Sequence, residues 1–176
     1  MRKLFQLKTL SLFAIALFVS TFAFGQKQQA SPADSTSGTV AGSNIKIAYH
    51  SPSVKGRKIW GGLVPYDKVW RTGANEATIF TTSKDIKIGG KTLPAGKYSL
   101  YTKPGENEWQ IILNSKTGQW GINMDGSTTD DPSKDVLVTT VKPVKSKTMN
   151  ERMKFQITNS GFVLLWENLA VPVTIM

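Results

Sequence analysis

From Ile45 onward, apolar and polar residues alternate in short runs cut by turn-forming residues. Ile45, Ile47 and Tyr49 alternate with Lys46 and Ala48, the period of two expected of a strand with one buried face. Glu76–Thr82 continues in the β-branched and aromatic vocabulary of strands. Ile86–Leu93 reads as a compact hairpin, because Gly89-Gly90 supplies the positive φ angles of a two-residue primed turn. Pro94–Gly96 is a turn into a strand over Lys97–Thr102, and Pro104-Gly105 is the next turn. Trp109, Ile111 and Leu113 share one strand face, which ends at Asn114–Gly118. After a loop over Gln119–Asp135 comes a strand at Val136–Val141, closed by Lys142-Pro143. Arg152–Thr158 and Gly161–Trp166 predict a hairpin about Asn159-Ser160, and Val171–Ile175 predicts a last strand, placed at an edge by Pro172. Apart from the first 25 residues, no window sustains helical periodicity over three turns. About eight to ten short strands at such spacing predict an all-β chain, a single antiparallel β-sandwich or jelly-roll-like domain.

The alternation breaks down between Gly56 and Thr78, where two tryptophans (Trp60, Trp70), Tyr66, four basic residues, Asp67 and Glu76 sit among four glycines. Bulky aromatics beside charges in an aperiodic segment need tertiary contacts or a ligand to hold them. Gly61-Gly62 permits a turn or a close approach, and Val64-Pro65-Tyr66-Asp67 is turn chemistry. As a binding site, the segment would offer the aromatic faces of Trp60, Tyr66 and Trp70 to a ligand. Arg57, Arg71, Asn75 and Glu76 would then hydrogen-bond its polar edge. As a structural device, the tryptophans would plug the open end of the sandwich while Arg71 pairs with Glu76 and fixes the loop. The two roles are compatible if one tryptophan is exposed. As a catalytic group, Glu76 in an apolar pocket could act as a general acid, with Asp67 or His50 assisting. A Pro-Tyr-Asp-Lys turn is a poor place for a buried base, however.

The chain has 176 residues. Arg2, Lys3 and Lys8 precede an apolar run over Leu10–Phe24, and small residues at Ala23 and Gly25 form a cleavage site before Gln26. Residues 1–25 are therefore expected to be a cleaved signal peptide, the apolar run being short for a bilayer span of ~20 residues. Residues 26–37 are polar and small and are expected to be a disordered spacer. Residues 38–176 are expected to form the domain. Export then places the protein in the periplasm or outside the cell, with no membrane span left after cleavage.

The net charge of +10 includes three basic residues of that leader, leaving 19 minus 12, or +7, for the remainder. The excess is spread as single lysines between strands. This pattern suits a soluble sheet surface that resists edge pairing, not the clustered positives of a nucleic-acid groove. With no cysteine there is no disulfide framework and no thiolate chemistry. The single histidine, His50, excludes a multi-histidine zinc site and leaves any catalytic triad dependent on that one residue. The Asp125–Asp131 loop has calcium-like acids but lacks the glycine and distal glutamate of an EF-hand, so a solvated loop is expected. Met149, Met153 and Phe155 are read as core or edge packing. No cofactor or metal is implied.

The strings SPSVKGRKIWGGLVPYDKVWRTGANEAT (Ser51–Thr78), LPAGKYSLYTKPG (Leu93–Gly105) and EWQIILN (Glu108–Asn114) resemble the secreted bacterial family called domain of unknown function 2911. The resemblance runs from about Gly38 to the C-terminus. It implies an exported single-domain β protein of Gram-negative bacteria with no established activity, and it assigns no catalytic residue. His50 lies outside its signature. The resulting expectation is a non-catalytic binding module for a small polar or carbohydrate-like ligand or an envelope partner protein. The alternatives are a hydrolase using Glu76, and a structural envelope protein whose signature segment only closes the fold.

Overall fold

The computed structural model describes residues 29–176, so the expected signal peptide lies outside the described residues. Ten strands form a β-sandwich of unequal layers. The larger layer is a six-stranded antiparallel sheet in the order β1 (Ala33–Val40), β2 (Ser43–His50), β3 (Thr78–Thr82), β6 (Gly96–Pro104), β7 (Trp109–Asn114) and β8 (Asp135–Val141). It is a meander, interrupted between β3 and β6 by the small hairpin β4 (Ile86–Ile88) and β5 (Lys91–Leu93). The second layer is a long hairpin of β9 (Val144–Thr158) and β10 (Gly161–Thr174).

The predicted alternation places the core. Ile45, Ile47, Tyr49, Phe80, Leu100, Ile111 and Leu113 face inward from the large sheet and are all buried. They meet Met153, Phe155, Phe162 and Leu164 of the hairpin. Tyr49 packs edge-on to Phe155 at 4.9 Å, and Phe80 lies 5.7 Å from Phe162. On the outer face, Tyr101 and Ile112 form a second small cluster with Ala77.

Two elements differ from expectation. Residues 33–37 lie in β1, not in a disordered spacer: the polar run pairs along its whole length with β2, from Ala33 opposite His50 to Val40 opposite Ser43. Backbone pairing and the Tyr49 hydroxyl, which donates to Asp34 at 2.9 Å, hold a strand that has little apolar surface to announce it. Second, the strands expected at Gly161–Trp166 and Val171–Ile175 are two arms of one bent β10. The buried positions run Phe162, Leu164, Trp166 and then Val171, Val173, a change of phase made by a bulge at Glu167, whose φ is +52°. The bend brings the end of β10 back to its own start, so that Ile175 N donates to Ser160 O at 2.8 Å. Any Cβ on Gly161 would run into the carbonyl oxygen of Val173.

Candidate functional site

The aperiodic segment is anchored at both ends by backbone pairing. At its start, Val54 N donates to Glu151 O and Met153 N donates to Pro52 O, which lays residues 52–54 beside β9. Later, Trp70 and Thr102 exchange both backbone hydrogen bonds (2.7 and 2.9 Å), and Asp67 N donates to Pro104 O. Because β3 pairs with β6 only as far as Thr78 opposite Leu100, Trp70 occupies the next stretch of the same edge of β6. Residues 71–77 are thus an excursion from an otherwise continuous line of pairing.

The excursion is closed at its neck by Thr78 N donating to Arg71 O (3.2 Å) and Thr78 Oγ1 donating to Thr72 O (2.8 Å). Thr72 and Asn75 adopt positive φ (+54° and +57°), unusual for side-chain-bearing residues and above all for a β-branched one. Thr72 is fully buried and its hydroxyl bonds to Trp70 O and Thr102 Oγ1, contacts that offset the strain. Three neighbours hold the tip. Ala74 N donates to His50 O, Ala77 N donates to Gln119 O, and the Asn75 amide donates to Ser31 O.

The expected Arg71–Glu76 pair is not formed. Glu76, about half exposed, lies instead against His50 Nδ1 at 3.2 Å, the only contact between an acidic and a basic side chain within 4 Å among the described residues. The positive φ at Asn75 turns the following carboxylate toward the end of β2. Arg71 turns the other way: its Nη1 donates to Trp120 O at 3.1 Å and its guanidinium lies 5.8 Å from the centroid of the Trp120 ring. Burial lowers the Arg71 pKa, partly countered by the Glu76 charge. Gly121 makes this fit possible, since a Cβ there would lie 2.6 Å from Arg71 Cβ.

The tryptophans divide the two expected roles. Trp60 is 7% exposed and touches three indoles, Trp70 at 6.1 Å, Trp109 at 4.9 Å and Trp166 at 5.6 Å, all edge-on. It is the plug. The indole N–H groups of Trp60, Trp109 and Trp166 are buried without a hydrogen-bond acceptor. Trp70, partly exposed, stacks on Trp166 with centroids 5.8 Å apart and planes 19° from parallel.

Outside this cluster lies a cavity of about 280 Å³, to which Trp70, Trp166, Arg57 and Arg71 all contribute. Val69, Leu63 and Ile122 supply apolar walls, and Gly73, Ala74 and Gly121 bring backbone to its surface. Of the seven residues predicted for a site, Arg57, Trp70 and Arg71 line this cavity. Trp60 lies behind it, and Tyr66 packs under Gly61, where a Cβ would be 2.8 Å from its ring. Asn75 and Glu76 belong to the excursion that holds Arg71. Arg57 also ties its own loop, donating from Nε to Val54 O (3.1 Å) and from Nη2 to Ser53 O. Asp67 is exposed at a positive-φ turn against Pro104 and makes no pair with Glu76. Among the described residues no three acidic or histidine side chains are grouped to hold a metal ion. In the Asp125–Asp131 loop, Asp125 accepts from the amide and hydroxyl of Ser127, and Asp131 from those of Ser133.

Sequence reasoning missed Trp166, the Gly121–Ile122 wall and Trp120, which holds Arg71. Trp166 enters from β10, and its one cue was an inward phase shared with Phe162 and Leu164. The Gln119–Asp135 segment reads as a loop only, although Trp120 and Ile122 stand in it without any strand pattern to occupy them.

A protein-family model described as "Protein of unknown function (DUF2911)" matches residues 31–175. The chain belongs to the DUF2911 family. The match covers nearly every described residue, including β1, and so begins upstream of the Gly38 boundary expected from the sequence. No curated protein and no solved structure matches this chain.

Proposed function

We propose that this DUF2911 protein is an exported, non-catalytic binding module whose site is the cavity beside the tryptophan cluster. One observation carries the reading. The aperiodic segment spends Trp60 on closing the sandwich, yet leaves Trp70, Arg57 and Arg71 around a recess of about 280 Å³. That volume and its mixture of apolar wall and few polar groups suit a small organic ligand. The test is a thermal-shift screen of residues 26–176 against sugars, organic acids, peptidoglycan fragments and metal ions, because a ligand that binds only the folded state raises Tm. A hit lost in Trp70→Ala supports the reading. No hit in any class would leave the segment with the structural role of closing the fold. Export is tested separately, by fractionating cells that express the full chain and looking for loss of residues 1–25.

The His50–Glu76 pair at 3.2 Å favours one second reading, a hydrolase in which Glu76 orients the imidazole. The nearest hydroxyl in sequence, Ser51, is committed elsewhere, donating to Met153 O at 2.7 Å. Hydrolysis of ester or glycoside reporters that disappears in both His50→Gln and Glu76→Gln would establish it; unchanged hydrolysis in either variant would exclude the pair.

A further inference from the structure

We infer that the cavity selects organic anions, a carboxylate head on an apolar and preferably planar body, over neutral sugars. This rests on the binding-module reading above and specifies its ligand class. Two guanidinium groups, Arg57 and Arg71, line the recess and, among the described residues, no carboxylate does. Among the described residues neither guanidinium has an acidic partner within ion-pair distance. Their hydrogen bonds go to backbone carbonyls of Val54, Ser53 and Trp120, which orient each fork, and the Glu76 charge acts on Arg71 without direct contact. Glu76, the nearest acid in the excursion, is held by His50. Arg71, partly buried and with no carboxylate in direct contact, attracts a bound carboxylate more strongly than a guanidinium in open water does, and the exposed Arg57 adds a second positive charge at the rim.

The rest of the surface describes the body of the ligand. Sugar sites need acceptors and donors spread around a ring of hydroxyls; here the acceptor-rich side chains, Glu76 and Asn75, are turned to His50 and to Ser31. The walls are instead indole and aliphatic. Leu63, Trp120, Ile122 and Met124, four of the large exposed hydrophobics, stand on the two loops that flank the recess. Such a rim, next to two cations, complements a molecule that is apolar at one end and anionic at the other.

The test compares isosteres on the unaltered protein. Residues 26–176 are titrated with indole-3-propionate, its primary amide, tryptamine and N-acetylglucosamine, reading the heat of binding by calorimetry and Tm. The acid is expected to bind about tenfold or more tightly than its amide, as for a charge-assisted bond, and to weaken with salt. Arg71→Met should lose most of that preference, and Arg71→Lys should keep part of it; Tm without ligand checks that both variants fold. Equal binding of acid and amide would overturn the anion selectivity and leave the binding module intact. Binding of N-acetylglucosamine alone, lost in Trp70→Ala, would do the same. No response to any of the four probes overturns the inference, and the broader screen then decides the reading on which it rests.

Discussion

Arg71 lies over the ring of Trp120, with 5.8 Å between the guanidinium carbon and the ring centroid, and donates to the backbone carbonyl of the same residue at 3.1 Å. Trp120 is 53% exposed, so little core packing depends on it. Trp120→Ala is expected to cost about 0.5–1 kcal/mol of folding stability, the range of an exposed cation–π contact. Its larger effect falls on the cavity, because Arg71 loses the face that fixes one side of its fork. Urea denaturation should show nearly wild-type stability, while titration with indole-3-propionate shows severalfold weaker binding.

Gly121 sits beneath that contact with φ +87°, and a Cβ would collide with Arg71 Cβ and come within 3.2 Å of Ala77 Cβ. Gly126, in the same loop, has φ +84° with open space around it. Gly126→Ala measures the backbone strain alone; Gly121→Ala adds the collision. Gly121→Ala is expected to lose about 1–3 kcal/mol and Gly126→Ala less. Equal losses in chemical denaturation would mean that Arg71 has room to shift.

Trp60 joins three other indoles, and its neighbours cannot close the space it would leave. Trp60→Ala is expected to cost about 3–5 kcal/mol, and Trp60→Phe less, since a ring remains to face Trp109 and Trp166. Trp70→Ala should be milder because Trp70 is partly exposed. Denaturation midpoints for the three variants check this order; a Trp70→Ala loss as large as that of Trp60→Ala would make Trp70 part of the plug.

The large sheet and the inward positions could be read from the sequence because period-two alternation is a local signal. Ile45, Ile47 and Tyr49, or Trp109, Ile111 and Leu113, declare their buried face without knowledge of what covers it. β1 could not be read this way, since backbone pairing to β2 holds it and its side chains bury almost nothing. The single β10 was hidden by its own bulge: the phase change between Trp166 and Leu169 looks locally like the end of one strand and the start of another. The candidate site was half legible. Arg57, Trp70 and Arg71 stand out by composition, while Gly121 and Trp166 reach the cavity through contacts with Arg71 and Trp70 made between distant parts of the chain. The choice of His50 over Arg71 by Glu76 depends on one positive φ at Asn75, which sequence spacing does not encode.

Asn114, fully buried at the end of β7, donates through one amide to Asp135 Oδ1 (2.7 Å), Asp131 O (2.8 Å) and Asp130 Oδ1 (3.2 Å). Burial raises the pKa of both Asp130 and Asp135, and each feels the charge of acidic neighbours. A carboxyl whose folded-state pKa is raised binds more protons folded than unfolded. Its contribution to stability is therefore present below the unfolded value of about 3.9 and is lost as pH rises through the folded value. Asp130→Asn keeps an acceptor for Asn114 and removes the charge. The variant should gain stability over the wild type at neutral pH, and the gain should vanish as pH falls below about 4. Asp125, whose pKa is lowered by hydrogen bonds to Ser127, acts in the opposite sense in both proteins and cancels from the comparison, while the repulsion between Asp131 and Asp130 is relieved in the variant and adds to its gain at neutral pH. Tm measured against pH for the pair of proteins decides it; a constant difference at all pH values would remove the ionisation argument.

The Tyr49 hydroxyl ties both layers together, donating to Asp34 Oδ2 at 2.9 Å and accepting from Phe155 N at 3.2 Å. Burial, with the Asp34 charge adding to it, pushes its pKa up to about 12. The folded state therefore holds a proton that the unfolded chain releases near pH 10, and the stability it contributes is lost as pH rises from 10 to 12. In Tyr49→Phe the buried Phe155 amide loses its acceptor, at a cost of about 1–3 kcal/mol at neutral pH. Above pH 10 the two proteins should converge, because the wild type loses what the variant never had. Tyr98, also raised by burial, keeps its own share of the alkaline loss in both. Urea midpoints at neutral and alkaline pH test this directly: parallel curves would show that the Tyr49 hydroxyl does not hold its proton in the fold.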